Sequence, residues 1–374
     1  MAFRQENAGD MVCTSMRHSR KEKLFSPGGI VNTPMRAALF LAVTATSWAL
    51  ASAAQEGFSR PFRPTVPEGL DTYMPVPEEN ELTPEKVALG RRLFFDPILS
   101  RDATLACATC HDPLRAFTDG REVARGIGGR RGKRNVPTLV NRAYGQSHFF
   151  DGRAATLERQ ALEPITNRDE FDTTAEEVVA RLAAHPEYSA MFRAAFARGP
   201  CAEDLARAVA SYTRTILSGG SPFDRYTSGE AQALNEQERE GLQVFRGKGN
   251  CTACHIGPAF SDERFHNTGV SWSNGRFTDA GRAAVSGAPK DRGAFKTPTL
   301  REVARTAPYM HQGSLATLED VIEFYNRGAK PNPYLDPELQ PLNLTTEEKK
   351  ALAAFLRALS GRVTEGLEPG NLKP

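Results

Sequence analysis

Apolar residues recur at helical spacing in several separate stretches of the chain. From Ala202 to Leu217 the residues Leu205, Val209, Tyr212 and Ile216 fall on one helical face, and Gly219-Gly220-Ser221-Pro222 breaks the pattern. Thr83-Pro84-Glu85 reads as a helix start followed by Gly90, Leu93 and Phe94, and Asn235 with Glu238 opens a second helix carrying Gly241, Val244 and Phe245. A last helix is predicted from Thr346 to Leu359, ending at Gly361. Period-two alternation is weak throughout, so the fold is expected to be mostly α.

One apolar stretch has a different character. Met35 to Ala53 has a basic start, an apolar middle and a small-residue end at Ala51, Ser52 and Ala53, which together read as a secretory signal cut near Ala53. The apolar part, Ala37 to Ala51, is short for a membrane span and is interrupted by Thr44, Thr46 and Ser47. The expectation is export to a bacterial periplasm without stable membrane insertion. The 34 residues before it read as unstructured, with Met35 a candidate start codon.

The hydrophobic pattern also repeats. Pro137-Thr138-Leu139, Gly152 and Ala155-Thr156-Leu157-Glu158 recur as Pro298-Thr299-Leu300, Gly313 and Ala316-Thr317-Leu318-Glu319, all at one offset of 161 residues. Agreement without a gap argues for two copies of one unit. The expected organisation is a leader over 1–53, a first unit over 54–220, a second over 221–365, and a Pro/Gly tail over 366–374.

Composition adds two constraints. At 374 residues and 40% hydrophobic content, two units can each bury a core. The net charge of +2 is carried by the leader, which holds six Lys/Arg against three Asp/Glu, so the near-neutral remainder gives no reason to expect nucleic-acid binding.

The cysteines carry the chemistry. Four of the six fall in two Cys-x-x-Cys-His patterns, Cys107-Ala108-Thr109-Cys110-His111 and Cys251-Thr252-Ala253-Cys254-His255. Two thiols one turn apart can add to the two vinyl groups of a haem while the adjacent imidazole reaches the iron, so two covalent c-type haems are predicted, with His111 and His255 as ligands. A dithiol redox centre or a zinc site would want a βαβ context or further paired ligands, and neither is present. Cys13 lies in the leader; Cys201 belongs to neither motif and is expected to be a buried small residue.

The other face of each iron decides between electron transfer and peroxide chemistry. Under the same offset Pro164 corresponds to Tyr325. A phenolate can ligate iron and a proline side chain cannot, so the second iron would be closed and the first open. By spacing alone Tyr325 also fits a buried helical stripe with Val321 and Phe324, and Met310 is a rival ligand. Gln160, Glu163 and Glu170 flank Pro164 and are the candidates for moving a proton between the two peroxide oxygens.

The stretches CATCHDPLRAFTDG, RNVPTLVN, FFDGRAATLERQALEPITNRDEF, CTACHIGPAF and FKTPTLREVARTAPYMHQGSLATLEDVIEFYNRG resemble the bacterial di-haem cytochrome c peroxidases and MauG-like enzymes, over about Leu82 to Leu359. The resemblance implies two cytochrome c-like haem domains in tandem. The first haem, on Cys107, Cys110 and His111, would be the peroxide site, under Gln160, Pro164 and Glu170, with Glu170 the acid/base group. The second, on Cys251, Cys254 and His255, would be the electron-transfer centre, with Tyr325 where peroxidases of the family carry methionine and MauG-like members carry tyrosine. A calcium ion is implied between the haems, held by Asn135 and by the carbonyls of Thr306 and Pro308.

Two departures matter. Residues 112–147 contain no histidine to block the first iron, which implies a site ready without reductive activation. The tryptophan the family places between the haems is Phe150 here, and Gly249 stands where MauG itself has a surface tryptophan, leaving Trp272 as the only tryptophan after the leader. The expected function is a periplasmic peroxidase that takes electrons from a small donor such as a cytochrome c or cupredoxin. The alternatives are a MauG-like enzyme oxidising a side chain of a partner protein, and a non-catalytic carrier, which Pro164 argues against. A homodimer is compatible with the sequence.

Overall fold

A computed structural model describes residues 62–365. The leader with its cut site, Cys13 and the tail from residue 366 lie outside the described residues.

The helices are α1 (Pro84–Phe95), α2 (Cys107–Cys110), α3 (Leu157–Thr166), α4 (Ala175–Ala184), α5 (Pro186–Phe196), α6 (Ala202–Arg214), α7 (Pro222–Thr227), α8 (Glu236–Arg246), α9 (Leu318–Asn326) and α10 (Thr346–Arg357), besides shorter turns. Among the described residues strand is confined to two-stranded ribbons of two or three residues: β1 (Leu217–Gly219) with β6 (Arg362–Thr364), β2 (Phe265–His266) with β5 (Phe295–Lys296), and β3 (Trp272–Ser273) with β4 (Arg276–Phe277). The chain is thus mostly helical, as the pattern predicts. Among the described residues no helix is long and apolar enough to cross a membrane.

The predicted helix starts are capped by the residues that signalled them. Thr83 Oγ1 accepts the Lys86 amide ahead of Pro84, while Asn235 and Glu238 exchange side-chain and backbone bonds at 3.0 and 2.8 Å. The repeated Ala-Thr-Leu-Glu is itself a helix start: Thr156 caps α3 and Thr317 caps α9.

The duplication extends to backbone conformation. Left-handed residues recur at the same offset, Asn141 with Glu302, Phe149 with Met310 and Gly152 with Gly313, as do the isolated bridges His148 to Ala154 and Tyr309 to Leu315. Each copy also has the same helix crossing. A Cβ on Gly90 of α1 would overlap the Ala208 carbonyl of α6, and one on Gly241 of α8 would overlap the Ala351 carbonyl of α10. Such overlap sets the helices too close for any side chain, so Gly241→Ala is expected to destabilise the fold by about 1–3 kcal/mol. The propensity gain of roughly 1 kcal/mol for Ala over Gly does not offset it, and denaturant unfolding of the haem-loaded protein measures the difference.

Three apolar clusters result. One joins α8, α9 and α10 through Leu242, Phe245, Ile322, Leu352 and Phe355. The other two join α1, α4, α5 and α6 through Leu89, Leu93, Val178, Phe192 and Leu205, and α1, α6 and the loop after α2 through Phe94, Phe117 and Tyr212. The predicted stripe of α6 is buried, and burial extends beyond it to Asp204 and Arg214, which pair with Arg198 and Glu158, while Glu203 stays exposed. Its predicted last residue, Leu217, belongs to β1, and the final helix likewise yields at Gly361 to β6. Cys201 corrects its expectation: it is half-buried at the N-cap of α6 and, unlike the motif cysteines, is not a free thiol.

Candidate haem and peroxide site

Both Cys-x-x-Cys-His motifs open into one cavity of about 1160 Å³. That exceeds the usual range for one small ligand, roughly 300–1,000 Å³. Cys107 to Cys110 form a single helical turn closed by His111, whereas Cys251 to Ala253 form a tighter turn before Cys254 and His255.

The two imidazoles are oriented alike. His111 Nδ1 lies 3.0 Å from the Phe117 carbonyl and His255 Nδ1 lies 2.8 Å from that of Phe260. A carbonyl can only accept, so Nδ1 carries the proton and the lone pair falls on Nε2, the arrangement a metal-bound histidine needs. Burial lowers both histidines, His111 to about 4, and keeps them neutral. Burial likewise pushes Cys107 and Cys251 up to about 12 and Cys110 to about 11. Four free thiols, two neutral imidazoles and an apolar cavity of this size fit two covalently held haems.

The walls above the two motifs differ. Gln160 and Pro164, one turn apart on α3, face the cavity, with Glu170 in the loop that follows. Glu170 accepts from Asn167 Nδ2 at 2.7 Å, yet burial holds its carboxyl above the usual carboxylate range. Its charge reaches Cys107 and Cys110, which places it beside the first motif. Glu163 does not join them: its carboxylate is 2.6 Å from Arg153 Nε.

Tyr325, on α9, occupies the position in the second copy that Pro164 holds in the first, and it lines the same cavity. Burial, followed by the nearby Cys254 and Cys251 sulfurs, raises its phenol well above the ordinary range. The phenol therefore stands at the second motif. Met310 also lines the cavity, at a left-handed residue in the loop before α9.

Between the motifs the ring of His311 stacks on Phe295, with centroids 3.6 Å apart, and meets Phe150 edge-on. Its Nε2 is buried without a partner among the described residues. Arg134 bridges the copies, binding Asp151 at 2.7 Å and Asp279 at 2.8 and 2.9 Å. His266 sits between Asp262 and Asp336 close to Cys254. Sequence reading singled out none of these polar residues, nor Arg142, Glu263 and Lys296 beside them. Asn135, Thr306 and Pro308 do line the cavity together. Asn135 spends its amide nitrogen on the Arg121 carbonyl at 2.7 Å, which leaves its side-chain oxygen available.

Comparison with known proteins identifies the family. Residues 84–232 match the family described as di-haem cytochrome c peroxidase. The chain is 42% identical over 290 residues to the methylamine utilization protein MauG of Methylorubrum extorquens, covering 76% of this chain and 81% of that one. It is 37% identical over 372 residues to the cytochrome-c peroxidase IdrP1 of Denitromonas iodatirespirans, covering 90% and 97%. Among solved structures, a MauG-like protein associated with microbial copper homeostasis superposes with a TM-score of 0.74 at 34% identity, over 82% of this chain and 98% of that one. The chain belongs to the di-haem cytochrome c peroxidase family, which includes MauG. It is accordingly an oxidoreductase, of a family whose members carry two haem c groups.

Proposed function

We propose that the chain reduces hydrogen peroxide at the first haem and receives electrons through the second from a small redox protein such as a cytochrome c or cupredoxin. The observation that carries this is the asymmetry across the repeat. Pro164 offers the first iron no ligand atom, while Tyr325 offers the second a phenol oxygen in the same cavity. A haem iron supplies the redox chemistry of O–O cleavage.

The protein's part is to handle protons and orientation. Glu170 takes the proton from one peroxide oxygen and returns it to the other, so that the departing oxygen leaves as water. Asn167 holds the carboxylate, and the Gln160 amide orients the peroxide beside it. Two electrons and two protons convert one peroxide into two waters.

In this reading 54–220 is the peroxidatic domain and 221–365 the electron-transfer domain, in tandem, in a periplasmic protein released from its leader near Ala53. A calcium ion bound by Asn135, Thr306 and Pro308, with water completing its shell, would sit in the wall shared by the copies. Chelation is then expected to slow electron delivery without releasing haem, checked by stopped-flow reduction with and without a calcium chelator.

A MauG-like role, oxidising a side chain of a partner protein, is favoured by Tyr325 and opposed by Phe150 and Gly249. Paramagnetic resonance of the untreated ferric protein, with cyanide titration, tests the asymmetry. One high-spin and one low-spin haem are expected; two low-spin haems that both refuse cyanide would leave only an electron carrier.

A further inference from the structure

Two cations and one carboxylate meet inside the protein at the wall of the haem cavity. Arg142, from the first copy, sets Nη1 and Nη2 2.8 and 3.1 Å from the two oxygens of Glu263, and Lys296 Nζ approaches the same carboxylate at 3.3 Å. The three side chains are 11%, 8% and 8% exposed. The Gln146 amide donates to Glu263 as well, so four donors already share its two oxygens.

Lys296 has one further acceptor, the Thr297 carbonyl at 3.1 Å. An ammonium has three N–H groups, and the third finds no acceptor among the described residues. The nearest further groups are not bonded to it: His148 is held neutral by burial and then by Arg142, and Asp262, which acts on Lys296 only through space, is hydrogen-bonded to His266 at 2.9 Å. Arg142, His148 and Lys296 line the cavity.

Two buried cations thus share one carboxylate and Lys296 keeps an unused N–H at the cavity wall, so an anionic group brought by the cavity's occupant would complete the cluster. Burial already drives Lys296 down to about 8, as expected of a site that under-compensates its own ammonium. Lys296 belongs to the second motif by connection. It lies in β5, and the Thr299 hydroxyl just after that strand donates at 2.6 Å to the Ala259 carbonyl, in the loop that follows His255.

We propose that Lys296, backed by Arg142, is the seat for a propionate carboxylate of the second haem, and that its positive charge raises that haem's reduction potential. This rests on the di-haem reading above. A cation beside the haem favours the reduced state, which carries one positive charge fewer; a carboxylate does the reverse. The two partners therefore act with opposite sign.

The experiment is a spectroelectrochemical titration of the haem-loaded protein. Lys296→Met is expected to shift the second haem to lower potential, Glu263→Gln to higher potential, and Lys296→Arg, which keeps the charge, to stay near wild type. A purely structural role would not reverse sign between the first two. Shifts in the same direction, or no shift in either, overturn the proposal. Normal peroxide reactivity with no opposed shifts removes the propionate seat alone, whereas opposed shifts without peroxide reactivity remove the peroxidase reading alone.

Discussion

Glu170→Gln is expected to slow peroxide turnover by roughly 10²- to 10⁴-fold, the range for losing a positioned acid/base group. Haem content should not change. The substitution keeps the shape and the bond from Asn167 Nδ2 to the side-chain oxygen, because an amide oxygen accepts as a carboxylate does. What it removes is the capacity to take up and release a proton. The pH dependence separates this from a structural effect. Glu170 must be ionised in the free enzyme to accept the peroxide proton, and burial raises its carboxyl above the usual carboxylate range. The acidic limb of kcat/KM should therefore fall at higher pH than an ordinary glutamate would give, and it should vanish in Glu170→Gln. A wild-type rate in the variant would remove Glu170 from the mechanism.

Gln160 and Glu163 show how far spacing alone could go. Both flank Pro164 in sequence, but only Gln160 faces the cavity with it, because a four-residue step keeps one helix face and a one-residue step does not. The haem motifs and the helix starts at Thr83 and Asn235 were legible because their chemistry is local. The duplication was legible because it left a single offset, which recurs in the paired left-handed residues Asn141 with Glu302 and Phe149 with Met310.

The charged lining was not legible. Arg142 and Glu263 are 121 residues apart, and each alone reads as an ordinary surface charge. His311 lies in a loop where no periodicity marks burial, and its stacking on Phe295 is set by the fold. One signal was present and passed over: Asn274-Gly275, both left-handed, make the hairpin turn joining β3 to β4, and that dipeptide is a strong local marker. The burial of Arg214 on α6 comes with its long-range ion pair to Glu158, which an apolar stripe cannot encode.

Tyr325→Phe should open the second haem. The variant keeps the ring that packs edge-on against Phe324 and loses only the phenol oxygen, so the fold around α9 is expected to survive. Without a metal, burial keeps that phenol protonated. A ferric ion beside it reverses the balance, since a bound cation stabilises the ionised ligand. The phenolate in turn favours ferric over ferrous iron and lowers the potential, whereas a thioether raises it. Two measurements follow. Cyanide should bind about one equivalent per chain in the wild type and about two in Tyr325→Phe, with a second high-spin signal in paramagnetic resonance. Tyr325→Met should restore a closed second haem at higher potential. Should Tyr325→Phe instead keep the wild-type spectrum and Met310→Leu open the second haem, the ligand is Met310, and the resting second haem would then be tuned as an acceptor of electrons from donors too weak to reduce a phenolate-bound iron.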